Sequence, residues 1–205
     1  MPIKSDCRIF LLLVLFLSGC VSGNQMSREL LASGKAENHR ATEAYHQKVE
    51  WLQDDLAALS QQSDQLEARQ VAETAIIYSN QLADEYRLVR PAVLHNLLIR
   101  VGLKDRGLCY HWTEDLLKRL QALDLRTYQL HWGVAHRGSD LREHNSVVIS
   151  AKGQVFEKGM VLDPWRNSGD LFWALINTDR YPWQKLPPGY DPSDDVAAQK
   201  TSSSP

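Results

Sequence analysis

Residues 36–89 contain neither proline nor glycine. A stretch of that length without a helix breaker is strongly biased towards helix. Val49, Leu52, Leu56, Leu59, Ser63 and Leu66 recur at spacings of three and four. That stripe is narrow enough for a coiled-coil seam or a helix hairpin. A second run, Ala72, Ile76, Leu82, Tyr86 and Val89, stops before Pro91, because the residue ahead of a proline avoids the helical region. The spacing therefore predicts a helical segment over 36–100. It either packs on a folded core or offers a seam to a partner or a second copy of the chain.

Residues 92–101 read as a further short apolar helix, closed by Gly102. A glycine-containing loop leads to Cys109, and residues 110–123 carry Trp112, Leu116, Leu117, Leu120 and Leu123 on one helical side. Cys109 is thus predicted at or near a helix N-terminus. Beyond Asp124 the pattern changes. Residues 125–134 alternate and are rich in aromatic and branched side chains, the mark of a strand. Residues 144–150, 154–157 and 159–163 read as further short strands, the last ended by Pro164. Helices followed by consecutive short strands imply an α+β domain with an antiparallel sheet. It is expected over 101–184. Trp112, Trp132, Trp165, Trp173 and Trp183 are expected as core and cleft walls. Residues 185–205 lack core formers and are expected as a disordered tail.

Charge narrows the class of partner. The 205 residues carry 23 basic and 25 acidic side chains, a net charge of -2. Phosphate recognition needs a basic surface, so nucleic acid is not expected as a partner.

The opening segment has its own character. Lys4 and Arg8 precede nine unbroken apolar residues, 9–17. That run is shorter than the roughly 20 residues a bilayer span requires and suits a secretory h-region. It ends in Leu17-Ser18-Gly19-Cys20. These residues resemble the bacterial lipobox. The resemblance implies that 1–19 is a signal peptide, that Cys20 is acylated to become the first mature residue, and that 20–35 is a spacer. Two or three acyl chains anchor stably where one does not. Val21 and Ser22 follow the cysteine, and the sorting rules of that family then imply an outer-membrane anchor with the domain in the periplasm.

Cys7 would leave with the signal peptide and Cys20 would be consumed by lipid. Cys109 then remains as the only thiol, which excludes an intramolecular disulfide. A lone cysteine is either a small buried hydrophobe or a nucleophile. Cys109, His144 and Asp163 occur in the order thiol catalysis uses. A helix N-terminus and a neighbouring imidazolium both favour the thiolate. A carboxylate on the far imidazole nitrogen holds the ring in one tautomer. His111, one turn before Asp115, reads as its ion-pair partner rather than as a catalytic group. His131, His136 and His144 lack a recognisable ligand pair on one element. No metal or other cofactor is expected.

At these residues the chain resembles a known family. Gly107-Leu108-Cys109 opens a helix, His144 opens the strand HNSVVIS, and Val161-Leu162-Asp163-Pro164-Trp165 closes another. Together they resemble the transglutaminase-like papain fold. The resemblance spans roughly residues 103–173. It implies a Cys-bearing helix packed on an antiparallel sheet, with Cys109 as nucleophile, His144 as general base and acid, and Asp163 as the orienting carboxylate. It further implies a thiol peptidase, amidase or acyltransferase acting on peptide or carboxamide bonds. The chain departs from the pattern in three places. The Cys helix begins Cys109-Tyr110-His111-Trp112, with a second histidine. Asn145-Ser146 follow His144, and no glutamine stands just before Cys109 to serve as a side-chain oxyanion donor. The alternative expectation is an inactive envelope lipoprotein that uses the same fold as a binding or scaffold module.

Overall fold

A computed structural model describes residues 23–139 and 142–187. The expected signal segment, the lipobox-like residues with Cys20, and residues 188–205 of the expected tail lie outside the described residues. The chain divides between Glu43 and Ala44 into two compact units. Helix α1 (Gly23–Ala57) runs across the division, so the small polar stretch expected as a spacer is helical from Gly23 onward. Within the first unit the helix carries an i,i+4 pair between His39 and Glu43. No helix among the described residues is long and apolar enough to cross a membrane.

The second unit holds the rest of the fold. Helix α1 gives way to α2 (Gln65–Glu85), α3 (Ala92–Arg100) and α4 (Cys109–Gln121). Five strands follow: β1 (Tyr128–Ala135), β2 (His144–Ala151), β3 (Met160–Asp163), β4 (Phe172–Leu175) and β5 (Trp183–Lys185). They form one sheet in the order β4-β3-β2-β1-β5, with every neighbouring pair antiparallel. The architecture is thus mixed α+β with an antiparallel sheet.

The proline- and glycine-free stretch does not make one helix. Asp64 breaks it by capping α2, its Oδ1 accepting from the Leu66 N–H at 2.8 Å and the Glu67 N–H at 3.0 Å. Satisfying these otherwise orphaned donors restarts the helix and resets the phase of the apolar stripe. Val49, Leu52 and Leu56 stay in the core, whereas Leu66 is 72% exposed. Glu67 then ties α2 to the start of β1. Its carboxylate accepts from the backbone N–H groups of Arg126 and Thr127 and from the Thr127 hydroxyl. Burial works against the charge, but these hydrogen bonds outweigh it and hold the carboxyl down at about 2.

Every residue of β2 is buried, so this central strand is covered on both faces. On one side Val147 and Ile149 join Met160 and Leu162 against Leu116 and Leu120 of α4 and the small residues of α2. On the other, Val148 and Val161 meet Ala135, Phe156 and Trp183. The alternation is the period-two geometry of a strand. Two expected assignments are corrected. Residues 154–157, expected as a strand, instead lead into a 3₁₀ turn, Phe156–Lys158. That turn delivers the Phe156 ring to the second apolar face. Lys185, expected to open a disordered tail, belongs instead to β5, and the Leu186 N–H donates to the Trp132 carbonyl at 2.9 Å.

Candidate active site

Cys109 is the first residue of α4, and the turn before it is pinned from several sides. Gly107 has φ 122, and a Cβ there would lie 2.6 Å from the His95 ring. Only glycine suits both that dihedral and that approach. His95 is fully buried; its Nδ1 accepts from the Val89 N–H at 3.1 Å, which leaves Nε2–H to donate to the Arg106 carbonyl at 2.8 Å. The Trp112 indole donates to the Gly107 carbonyl at 2.8 Å. His111 does not take the role expected of it. Its Nδ1 accepts from the Gly107 and Leu108 N–H groups, both at 3.2 Å. Asp115, its expected partner, accepts from the Tyr86 hydroxyl and from Arg106. Gly107→Ala combines left-handed backbone strain with overpacking against His95. Its expected cost is roughly 2–4 kcal/mol, read as a lowered urea midpoint.

His144 opens β2 opposite Ala135 of β1. Its Nε2 lies 2.6 Å from Asp163 Oδ2. Asp163 ends β3 and is fully buried. The Cys109 sulfur lies near enough to add to the charge on this imidazole. The sulfur is half-buried and lies 3.9 Å from both the Glu143 carbonyl oxygen and Asn145 Nδ2, the residues flanking His144. Chain segments 35 and 19 residues apart, set by Cys109, His144 and Asp163, thus meet at one end of β2.

Electrostatics favour a charged imidazole. Burial opposes the imidazolium, but the Asp163 charge and hydrogen bond, with the Cys109 sulfur, outweigh it and push His144 up to about 10. Burial likewise opposes ionised Asp163, yet His144 and Arg166 hold its carboxyl below the ordinary range. The pair is therefore imidazolium–carboxylate across neutral pH.

Around this pair lies a shell that residue order alone did not reveal. Arg166 donates from Nε to Asp163 Oδ2 at 2.9 Å and from its backbone N–H to Oδ1 at 3.1 Å. Its two terminal nitrogens bind Asp179 in a fork, at 2.9 and 2.7 Å. The Trp183 indole also donates to Asp179, at 2.7 Å. The guanidinium stacks 3.9 Å over Phe172 and 4.8 Å over Tyr181. The rings of Trp165, Tyr181 and Trp183 enclose His144, with centroids 4.9, 4.9 and 5.4 Å away. Trp165 and Arg166 were reachable from sequence, since they directly follow the Asp-Pro pair. Trp183 is one of the tryptophans expected as core and cleft walls, whereas Asp179 and Tyr181 carried no signal.

No protein-family model, curated protein or solved structure matches this chain. The other two histidines weighed as ligands go elsewhere. His131 bonds Ser150 at 3.0 Å, and burial lowers its pKa. The His136 ring packs on Tyr181. Among the described residues no three His, Cys, Asp or Glu side chains converge as a metal-ligand group.

Proposed function

We propose that this chain is a lipid-anchored cell-envelope protein bearing a transglutaminase-like thiol hydrolase or acyltransferase that acts on peptide or carboxamide bonds. One observation carries the catalytic reading: buried His144 has Asp163 on one ring nitrogen, and the Cys109 sulfur lies against the residues on either side of His144. A structural cysteine has no need of a charged imidazole, and a structural ion pair has no need of a half-exposed sulfur. The anchor rests on the lipobox resemblance of residues 17–20, and the membrane is the partner it implies.

The chemistry follows from the arrangement. An imidazolium beside sulfur favours the thiolate. The sulfur electron pair attacks a carbonyl carbon, and the carbonyl π pair moves to oxygen. When the adduct collapses, the C–N bond breaks and the departing amine takes the Nδ1 proton of His144. A thioester on Cys109 and a neutral imidazole remain. Water, or a second amine, then attacks the thioester and returns a proton to His144. The thiolate departs, and acid or new amide is released. Asp163 stabilises the imidazolium and fixes the tautomer throughout.

The reading is tested in cells by comparing Cys109→Ala and His144→Ala for altered processing of envelope proteins. Both variants are expected to give the same set of unprocessed or unmodified proteins. An unchanged profile in both, with a Cys109 in the purified chain that labels no faster than a free thiol, rejects it.

A further inference from the structure

An acyl-transfer site needs a hydrogen-bond donor for the oxygen that becomes negative in the tetrahedral adduct, and residue order near Cys109 offers no glutamine for it. We infer that the Asn145 side-chain amide is that donor. The inference rests on the acyl-transfer reading and deepens it, since such a donor commits the site to substrates with a carbonyl group.

Asn145 is 3% exposed. By the alternation of β2 it shares a side with Val147 and Ile149, which lie in the core against α4. An apolar residue would continue that row, so a buried amide here calls for a reason. Its orientation is fixed by chemistry. The Trp132 indole N–H, 2.8 Å away, can only donate, so the Asn145 atom facing it is Oδ1. Nδ2 must then face the opposite way. One of its hydrogens serves Glu143 Oε1 at 3.2 Å. Glu143 is itself held by the Gly138 N–H, which donates to Oε2 at 2.8 Å. The other hydrogen is directed at Cys109 Sγ itself, a long contact of 3.9 Å from Nδ2. On this inference the oxygen of a tetrahedral adduct, one bond beyond the carbon attached to sulfur, is the closer acceptor to which Nδ2 turns. The Cys109 N–H, in the first turn of α4, has no intrahelical acceptor and supplies a second donor. Trp132 and Glu143 thus hold the amide rigid before any substrate arrives, as preorganised stabilisation requires.

Two reagents separate the roles. p-Nitrophenyl acetate acylates a thiolate through an oxyanion; iodoacetamide alkylates it by displacement at a saturated carbon, without one. In the full chain, Asn145→Ala and the size-matched Asn145→Leu are expected to slow acylation of Cys109 by about 10²–10³-fold. Alkylation should stay near the parent rate. Trp132→Phe, which keeps the amide but releases Oδ1, should lose part of the acylation rate only. Acylation at the parent rate in both Asn145 variants overturns the assignment. So does an equal fall in acylation and alkylation, which would make Asn145 a scaffold for the sulfur. A parent chain whose Cys109 takes iodoacetamide but not the ester instead rejects the acyl-transfer reading, and the assignment with it.

Discussion

Asp163→Asn is expected to cost about 3–5 kcal/mol of folding stability, because it leaves one member of a buried charge pair without its partner. Its pH signature should be as clear as its size. In the parent chain His144 is raised from 6.5 to about 10 on folding. A raised pKa means the folded state binds the proton more tightly. The stabilisation is therefore complete below 6.5 and drains away as pH climbs through about 10. Asp163 is shifted the other way, from an ordinary value of 3.8. Its contribution is present above that value and lost as pH falls through the depressed folded pKa. The parent should hold a plateau between these limits and weaken on the alkaline side. In Asp163→Asn the burial of His144 acts unopposed by the carboxylate, and the alkaline weakening should largely vanish. Urea unfolding at a series of pH values from neutral to about 10 reads both effects. A variant that keeps the parent's alkaline slope would mean the imidazole charge depends on something other than Asp163.

The second large effect concerns the sulfur. At pH 6 an ordinary thiol of pKa about 8.5 is ionised to well under 1%. With His144 charged beside it, Cys109 should react with iodoacetamide at pH 6 far faster than a free thiol does. His144→Ala should slow that reaction by about 10²-fold or more, within the range assigned to proton-transfer partners. Mass spectrometry of the alkylated peptide fixes the site. Equal rates in parent and variant at pH 6 would remove His144 from the chemistry. The core residues Trp112 and Leu116, both fully buried, hold α4 without His144, so the variant is expected to fold.

Much of this architecture was legible because long periodic runs report their own environment. The α4 stripe of Trp112, Leu116 and Leu120 and the β2 run from His144 are each long enough to show a period. Both elements lie where the pattern puts them. Cys109 could be set at a helix start because Gly107 punctuates the turn. Strands β4 and β5 were not legible. Phe172–Leu175 and Trp183–Lys185 are too short to display alternation, and the sheet edge defines them more than their own composition does. The partners of the site were lost with them. Asp179 and Tyr181 lie between those two strands, and neither forms a motif with Asp163. Asn145 was visible, but only as a departure from a family pattern. Its value depends on Trp132, which reaches it across the β1–β2 pairing. No spacing along the chain encodes that contact. The break at Asp64 was missed for a different reason: a capping aspartate interrupts a helix without any proline or glycine.

Arg166 has a consequence for how such a sequence can drift. One planar fork serves two carboxylates from different segments and two aromatic faces at once. Lysine, with a single point charge, reproduces none of that geometry. Losing the arginine takes a cation from Asp163 and Asp179 together, leaving them His144 and Trp183 respectively, while losing either aspartate leaves the arginine only one carboxylate. Exchanges at these three positions are therefore expected to interact far from additively, so the effect of any one of them depends on which of the other two is still in place.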